Sequence, residues 1–194
     1  MTPMLGIMAS SISGSKAITS NYYSISTATV TSGGQTTITF SSIPSTYTHL
    51  QIRAIANDTY TISAPSSGQF QANFNGDTGT NYWYHSLYGS GTAIGSQGSG
   101  GYNGIYVLAG TTTGGVANHL MTPSVMDILD YTNTNKYKTT RTLSGTDVNA
   151  TGGGKYIALQ SGAWANTAAI TSISITTQGT AFDQYSQFAL YGVK

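Results

Sequence analysis

The segment from Gln69 to Tyr88, QFQANFNGDTGTNYWYHSLY, is the least generic part of this chain, since it joins a strand pattern, a turn and a dense group of aromatic residues. Phe70, Ala72 and Phe74 alternate with polar residues, which is typical of a strand with one buried face. The next five residues, 75–79, favour positive φ or bond their own backbone, so we expect a sharp hairpin turn. Five ring-bearing residues then follow within seven positions: Tyr82, Trp83, Tyr84, His85 and Tyr88. They form either a wall of the core or a contact surface.

The composition narrows the class of protein. Charged residues make up 7% of the 194 residues, against about 25% in an ordinary soluble domain. The net charge of +1 gives no field that attracts nucleic acid, so we expect no nucleic-acid partner. No apolar run approaches the ~20 residues of a membrane helix, so no membrane partner is expected either. The absence of cysteine excludes a disulfide framework.

The first twenty residues differ from the rest of the chain. Met4, Leu5, Ile7 and Met8 are apolar, and no basic residue precedes them as in a secretion signal. We expect residues 1–20 to form an extended arm that docks on the body of the protein or on a neighbouring subunit. Residues 21–194 have the length of one β domain.

Strand patterns recur through that domain. Residues 22–31 and 36–40 flank a Gly-Gly turn and predict a first hairpin, and residues 124–131 and 136–143 predict a second. Residues 47–56 alternate most clearly. Residues 90–104 contain six glycines and predict an exposed, mobile loop. Further strands are predicted at 105–109, 156–159, 170–177 and 187–193.

Eight to ten strands joined by Gly-rich loops, with no amphipathic helix of ten residues, indicate an all-β fold. We predict an antiparallel two-sheet sandwich of the jelly-roll type, since this is the commonest way to close that many strands into two sheets.

The sequence proposes no catalytic or cofactor site. His49, His85 and His119 are far apart, and no known hydrolase or phosphate-binding motif is present. Asp127 and Asp130 lie on opposite faces if their segment is a strand, about 10 Å apart along its axis, which does not suit an acid and base pair. As a helix they would share a face. We expect these carboxylates to serve turns or hydrogen bonds, and we expect no enzyme.

The turn at Asn73, Asn75, Asp77 and Thr78 has the oxygen-rich composition of a calcium loop. Calcium takes six to eight oxygen ligands, including several carboxylates, and this turn has one. A hairpin turn is therefore favoured, with a weak cation site as the alternative, and no metal site is predicted.

The aromatic residues allow two interpretations. Sugar rings stack on exposed Tyr and Trp, so Tyr82, Trp83 and Trp164 could contact a glycan. Large rings are also common in cores and at protein interfaces, so Trp83 and Trp164 could instead lie in the core or between subunits. For a subunit that assembles, we expect Trp83, Tyr84 and Tyr88 to lie in a subunit contact.

Four segments together resemble structural proteins of tailed bacteriophages: PMLGIMASSISG at 3–14, FNGDTGTNYWYHSLYG at 74–89, DILDYTNTNKYKTTRTLSG at 127–145 and ITSISITTQGTAFDQYSQFALYGVK at 170–194. The shared features are a Leu-Gly-Ile start, an Asn-Gly-Asp turn after a Phe strand, and a final Phe-x-Leu-Tyr-Gly-Val-Lys strand. The resemblance covers most of the chain. It departs from major capsid proteins, which are larger and carry a long helix that is not found in this sequence.

The resemblance implies an accessory virion component, namely a capsid decoration or cement protein. Its implied partners are further copies of itself, as a homotrimer, and other virion proteins such as the major capsid protein. In this interpretation the residues from Met4 to Met8 dock against the body or the shell. The alternative is a tail-fibre or head-fibre module in which loops 90–104 and 111–115 and the nearby aromatic residues bind a host surface glycan.

Overall fold

The computed structural model describes residues 21–58, 70–91, 93–108, 121–146 and 156–194. Every regular element in these ranges is a β-strand. A helix long and apolar enough to cross a membrane does not occur among them. The all-β class predicted from the sequence is therefore confirmed.

The strands of the described ranges are, in chain order, β1 (Tyr22–Thr29), β2 (Thr37–Phe40), β3 (His49–Ala56), β4 (Phe70–Phe74), β5 (Tyr82–Gly89), β6 (Ile94–Tyr102), β7 (Ile105–Leu108), β8 (Thr122–Leu129), β9 (Lys138–Thr146), β10 (Tyr156–Trp164), β11 (Ile173–Thr177) and β12 (Gln187–Val193). They form two antiparallel sheets. The large sheet has the order β1, β12, β3, β8, β9, β10, β5, β6, and the small sheet has the order β2, β11, β4, β7.

Eight of these strands have the connectivity of a jelly roll. In the large sheet β1 pairs with β12 and β3 pairs with β8. In the small sheet β2 pairs with β11 and β4 pairs with β7. Among these eight, the first strand thus pairs with the last, the second with the last but one, and so on inward, as in a long hairpin rolled into two sheets. The predicted jelly-roll sandwich is confirmed.

The other four strands widen the large sheet on one side. The pair β5 and β6 is inserted between β4 and β7, and the pair β9 and β10 is inserted between β8 and β11. Next to β8 they add the order β9, β10, β5, β6. We call these four strands the extension. From the small sheet, β7 contacts β9, β10 and β5 of the extension.

The core lies between the two sheets and follows from strand alternation. On β3, Leu50, Ile52, Ala54 and Ala56 are buried, and on β4 Phe70, Ala72 and Phe74 are buried, as the sequence predicts. Aromatic rings join the sheets, because Phe70 of the small sheet meets Phe188 of the large sheet edge to face at 6.4 Å between ring centres. Such pairs add specific geometry to apolar burial.

The predicted first hairpin is wrong. β1 and β2 belong to different sheets and are not paired, although Gly33 and Gly34 do make a sharp turn with φ of 98° and 70°. A Gly-Gly turn allows two strands to fold back, but it does not require them to pair. Here the pairing of β1 with β12 and of β2 with β11 takes precedence. The predicted second hairpin is confirmed, since β8 pairs with β9.

The predicted loop at 90–104 is also wrong, because most of it is β6. Glycine is usually unfavourable in a strand, since it brings no side chain to pack. Here β5 supplies the packing. A Cβ added to Gly100, Gly98 or Gly95 would lie 1.7, 2.3 or 2.6 Å from the ring of Trp83, His85 or Tyr88 respectively. Each glycine therefore makes room for a ring that leans across from β5.

The turn after β4 is present, but it is not a hairpin turn. Asn75 and Gly76 have φ of 54° and 69°, and the Asp77 amide donates to the Phe74 carbonyl at 2.9 Å. The turn leads from β4 in the small sheet to β5 in the large sheet. The Asn75 side chain accepts from the Thr171 amide at 2.8 Å, which fixes the turn to the segment before β11.

Asp77 holds this turn against the extension. Its carboxylate accepts from the Gly79 amide at 2.8 Å, from the Asn81 side chain at 2.9 Å and from the Trp164 indole at 2.8 Å. These hydrogen bonds hold the pKa of Asp77 below its usual value, and the bond from Asn81 lowers it most. Because N–H donors occupy its carboxylate, a cation would have to displace them. The turn is therefore a structural junction between the sheets, and it gives no support to the alternative of a cation site.

Lys138, at the start of β9, is fully buried. Its ammonium donates to three backbone carbonyls, those of Asn133 at 2.5 Å, Thr167 at 2.9 Å and Lys136 at 3.2 Å. Burial lowers the pKa of Lys138, and the charge of Lys136 lowers it further. Lys138 thus joins the β8–β9 turn to the loop after β10.

Candidate assembly surface

The outer face of the extension and of the adjoining strand β8 carries a row of exposed apolar side chains. Val125 on β8 lies opposite Leu143 on β9, Leu143 lies opposite Leu159 on β10, and Leu159 lies opposite Leu87 on β5. Their exposed fractions are 38, 53, 49 and 57%. We call these four residues the apolar row. Directly opposite residues have their Cβ atoms about 5 Å apart, so the row is continuous across four strands.

A second group of apolar residues extends the row toward the edge of the sheet. Gly89 lies between Ile157 of β10 and Ile94 of β6. These two isoleucines are 60 and 86% exposed, which makes Ile94 the most exposed large apolar residue of the described chain. Together with Leu87, Leu143 and Leu159 they line a shallow depression of about 310 Å³.

Polar residues border the apolar row on its other side. Arg141 pairs with Asp127, its guanidinium donating to the carboxylate at 2.7 Å, and the Gln51 amide donates to the same carboxylate at 2.8 Å. Farther along the same line Ser161 lies opposite both Arg141 and His85. Arg141, Ser161 and His85 line a depression of about 650 Å³ that also includes Leu87 and Leu159. An apolar centre with a polar border is the usual composition of a protein contact surface.

The alternation of β5 separates the residues predicted for a subunit contact. Trp83 points to the outer face and is 41% exposed. Tyr84 points inward and is buried, with its ring 5.4 Å from that of Tyr102. Tyr88 also points inward, is partly buried and stacks on Tyr156 at 5.2 Å. The prediction for Tyr84 is therefore wrong, because neighbouring strand residues face opposite sides and its ring packs inside the molecule.

The prediction of glycan contact is wrong for two of its three residues. Tyr82 and Trp164 are buried in the core, where their rings stack 6.1 Å apart. Burial also raises the pKa of the Tyr82 phenol to about 12. A sugar cannot reach these rings, because they lie between the sheets, and Trp83 alone of the three is exposed.

The other candidate groups are dispersed. Asp127 pairs with Arg141 on the outer face, whereas Asp130 lies in the turn after β8 and pairs with Lys136 and His49. Each carboxylate thus has a partner of its own, in agreement with the hydrogen-bonding role predicted for both. Among the described residues no group of three His, Cys, Asp or Glu side chains could hold a metal ion.

The remaining predictions lie outside the described residues. They are the docking of Met4, Leu5, Ile7 and Met8, the loop at 111–115, and His119. They stay predictions.

Comparisons of the chain with known protein families, with curated proteins and with solved structures give no match.

None of the residues of the apolar row belongs to a site predicted from the sequence. Its residues alternate with the buried residues of their strands and so point away from the core. On β9 the buried residues are polar, namely Thr140, Thr142 and Ser144. A signal was present in the sequence, since Ile157 and Leu159 on β10 alternate with Ala158 and Gln160. Large apolar residues that share a strand with small or polar buried ones indicate a second surface that needs a partner.

Proposed function

We propose that this protein is a structural subunit of a tailed-phage particle, a capsid decoration or cement protein that binds the shell through the outer face of its extension. The observation that carries the proposal is the exposed apolar row with the adjoining Ile157 and Ile94. The sequence resemblance supports the kind of particle. The proposed assembly is a homo-oligomer on the virion.

The size of the apolar surface supports a role in assembly. Six side chains with exposed fractions from 38 to 86% present on the order of 500 Å² of apolar surface. The largest apolar patch on an ordinary monomer is about 300–600 Å² and is often functional. Covering this patch removes it from water, so a partner that matches it stabilises the folded subunit by mass action.

The proposal predicts that charge on the apolar row abolishes binding to the particle. The double substitution Leu87→Asp and Leu159→Asp should weaken binding to shells that lack this protein by about a hundredfold or more, because two buried carboxylates would lack partners. Binding is measured by co-sedimentation of the purified protein with the shells, and mass spectrometry of native particles tests whether the chain is present.

The matched control is Tyr137→Asp, which places the same charge on a residue that is 58% exposed in the β8–β9 turn. This variant should bind like the natural protein. Circular dichroism of each variant checks that the sandwich is folded. Equal binding by the double variant, or absence of the chain from particles, contradicts the proposal.

A carbohydrate-binding module is the second candidate function. The observation in its favour is that Trp83 is exposed on the same face as His85, next to the depression of about 650 Å³ lined by Arg141 and Ser161. This arrangement predicts that Trp83→Ala removes binding to host polysaccharide while the fold is retained. A glycan array on which the natural protein binds nothing rejects this candidate.

A further inference from the structure

Strand β6 forms an open edge of the large sheet. Among the described strands its neighbour is β5 alone. Residues 94–100 keep a regular antiparallel register with β5, and a bulge follows at Gly101, where φ is 80°. In a paired strand the backbone groups of alternate residues point away from the neighbour. Of the seven regular residues of β6, about every second one therefore presents its backbone donor and acceptor at the edge.

The glycines make this edge accessible. The rings of Trp83 and His85 on β5 lean over Gly100 and Gly98 and fill the space that side chains of β6 would otherwise occupy. Most residues of β6 are exposed. An approaching strand thus meets backbone rather than bulky side chains.

The other edges of the two sheets carry features that discourage pairing. β2 and β7 have four residues each, and short edge strands resist association. β1 has an irregular register between Ser24 and Ser26, with the cations of Arg53 and Lys194 over its tyrosine rings at 5.0 and 5.1 Å. Bulges and charges are also protective. In contrast, the segment 94–100, IGSQGSG, has no charge, no proline and no bulge.

We propose that β6 pairs antiparallel with β6 of a second copy of this chain about a twofold axis, which joins two large sheets edge to edge. A twofold contact uses the same surface on both copies, so each residue must tolerate its own kind nearby. A neutral strand meets this condition, because no like charges face one another. The contact gives a dimer, in place of the trimer that the resemblance implies.

The register follows from full overlap of the regular segment. Residues 94–100 overlap completely when the axis passes between the two copies of Gln97, and Ile94 of one copy then lies opposite Gly100 of the other. The ring that leans over Gly100 is that of Trp83. Both Ile94 and Trp83 are exposed in the single chain, at 86 and 41%, and both lie on the outer face. In the pair, Ile94 of each copy is covered by Trp83 of the other, so the same contact forms on both sides of the axis.

This inference deepens the proposed function and rests on it in one respect, namely that a subunit which works by assembly needs a contact with its own copies. Edge pairing leaves the apolar rows of both copies on the same side of one continuous sheet. The pair can therefore bind a shell through two rows at once.

The test is the mass of the purified protein by light scattering over a wide range of concentration. We expect a monomer at low and a dimer at high concentration, with an emission shift from Trp83 on association. The change Ser96→Lys should raise the dissociation constant at least about tenfold, because it places two cations near the axis. The control Ser24→Lys puts the same charge on β1, at the opposite edge of the same sheet, and should leave the dimer unchanged.

A monomer at every concentration overturns the inference, and so does an oligomer that Ser96→Lys does not weaken. Hydrogen exchange of the natural protein gives a result that needs no variant: alternate amides of β6 should be protected at high concentration only. Equal exchange at both concentrations overturns the pairing. These measurements use the protein without particles, so their failure is distinct from absence of the chain from virions.

Discussion

Replacing Asp77 by alanine is expected to lower the free energy of unfolding by about 3–4 kcal/mol. The change removes three hydrogen bonds to a charged acceptor, from the Gly79 amide, Asn81 and the Trp164 indole. It also leaves the indole N–H of a fully buried tryptophan without its partner. A lost partner for a buried donor costs more than the net value of one hydrogen bond.

Urea denaturation followed by tryptophan fluorescence measures this loss. The control is Thr78→Ala at the exposed neighbouring position, which should change stability by no more than about 0.5 kcal/mol. The pH dependence gives a second test. Because the folded state lowers the pKa of Asp77, its contribution is full above the ordinary value of 3.8 and is lost as the pH falls through the folded pKa. The alanine variant should lack that part of the acid transition, and an unchanged acid transition contradicts the role of Asp77.

Replacing Lys138 by alanine is expected to cost a similar amount, about 3–4 kcal/mol. The three carbonyls that accept from its ammonium belong to Asn133, Lys136 and Thr167, and they lose a common donor. The variant Lys138→Met keeps the apolar stem and should recover part of the loss, which separates packing from hydrogen bonding.

Lys136→Ala is the matched control for this cluster. The side chain of Lys136 is 54% exposed and pairs with Asp130, so its removal should cost at most about 1 kcal/mol. Denaturation in urea compares the three variants. Equal losses for Lys136→Ala and Lys138→Ala would show that burial of the Lys138 ammonium has no special importance.

Much of the sandwich can be predicted from the sequence, because in many of its strands every second residue is apolar and faces the core. On β3 and β4 the large apolar residues share one face, and that face is the core. On β12, Phe188 and Leu190 behave in the same way. The turn at Asn75 and Gly76 is equally local, since residues that tolerate positive φ adopt it.

The extension does not follow the same rule. On β9 the buried side is Thr140, Thr142 and Ser144, whereas Leu143 is exposed. Alternation shows that a strand has two faces, but it does not show which face is covered by the rest of the fold. The prediction of a loop in place of β6 is wrong for a related reason, because the rings that compensate for the glycines of β6 lie on β5.

Pairing between distant strands is also beyond local patterns. The Gly-Gly turn after β1 is a good hairpin signal, yet β1 pairs with β12, more than 150 positions away. Only the complete set of strands determines that arrangement. For the same reason the sequence placed Tyr84 and Trp83 in one contact surface, although the two rings point to opposite sides of β5.

The pairing of the first strand with the last brings two chain positions to one corner of the molecule. The Lys194 amide donates to the Asn21 carbonyl at 3.2 Å, and β6 lies at the other end of the same sheet, seven strand spacings or about 34 Å away. A peptide or domain fused after Lys194 would therefore start far from the β6 edge. A group attached at this corner therefore leaves the β6 edge unobstructed.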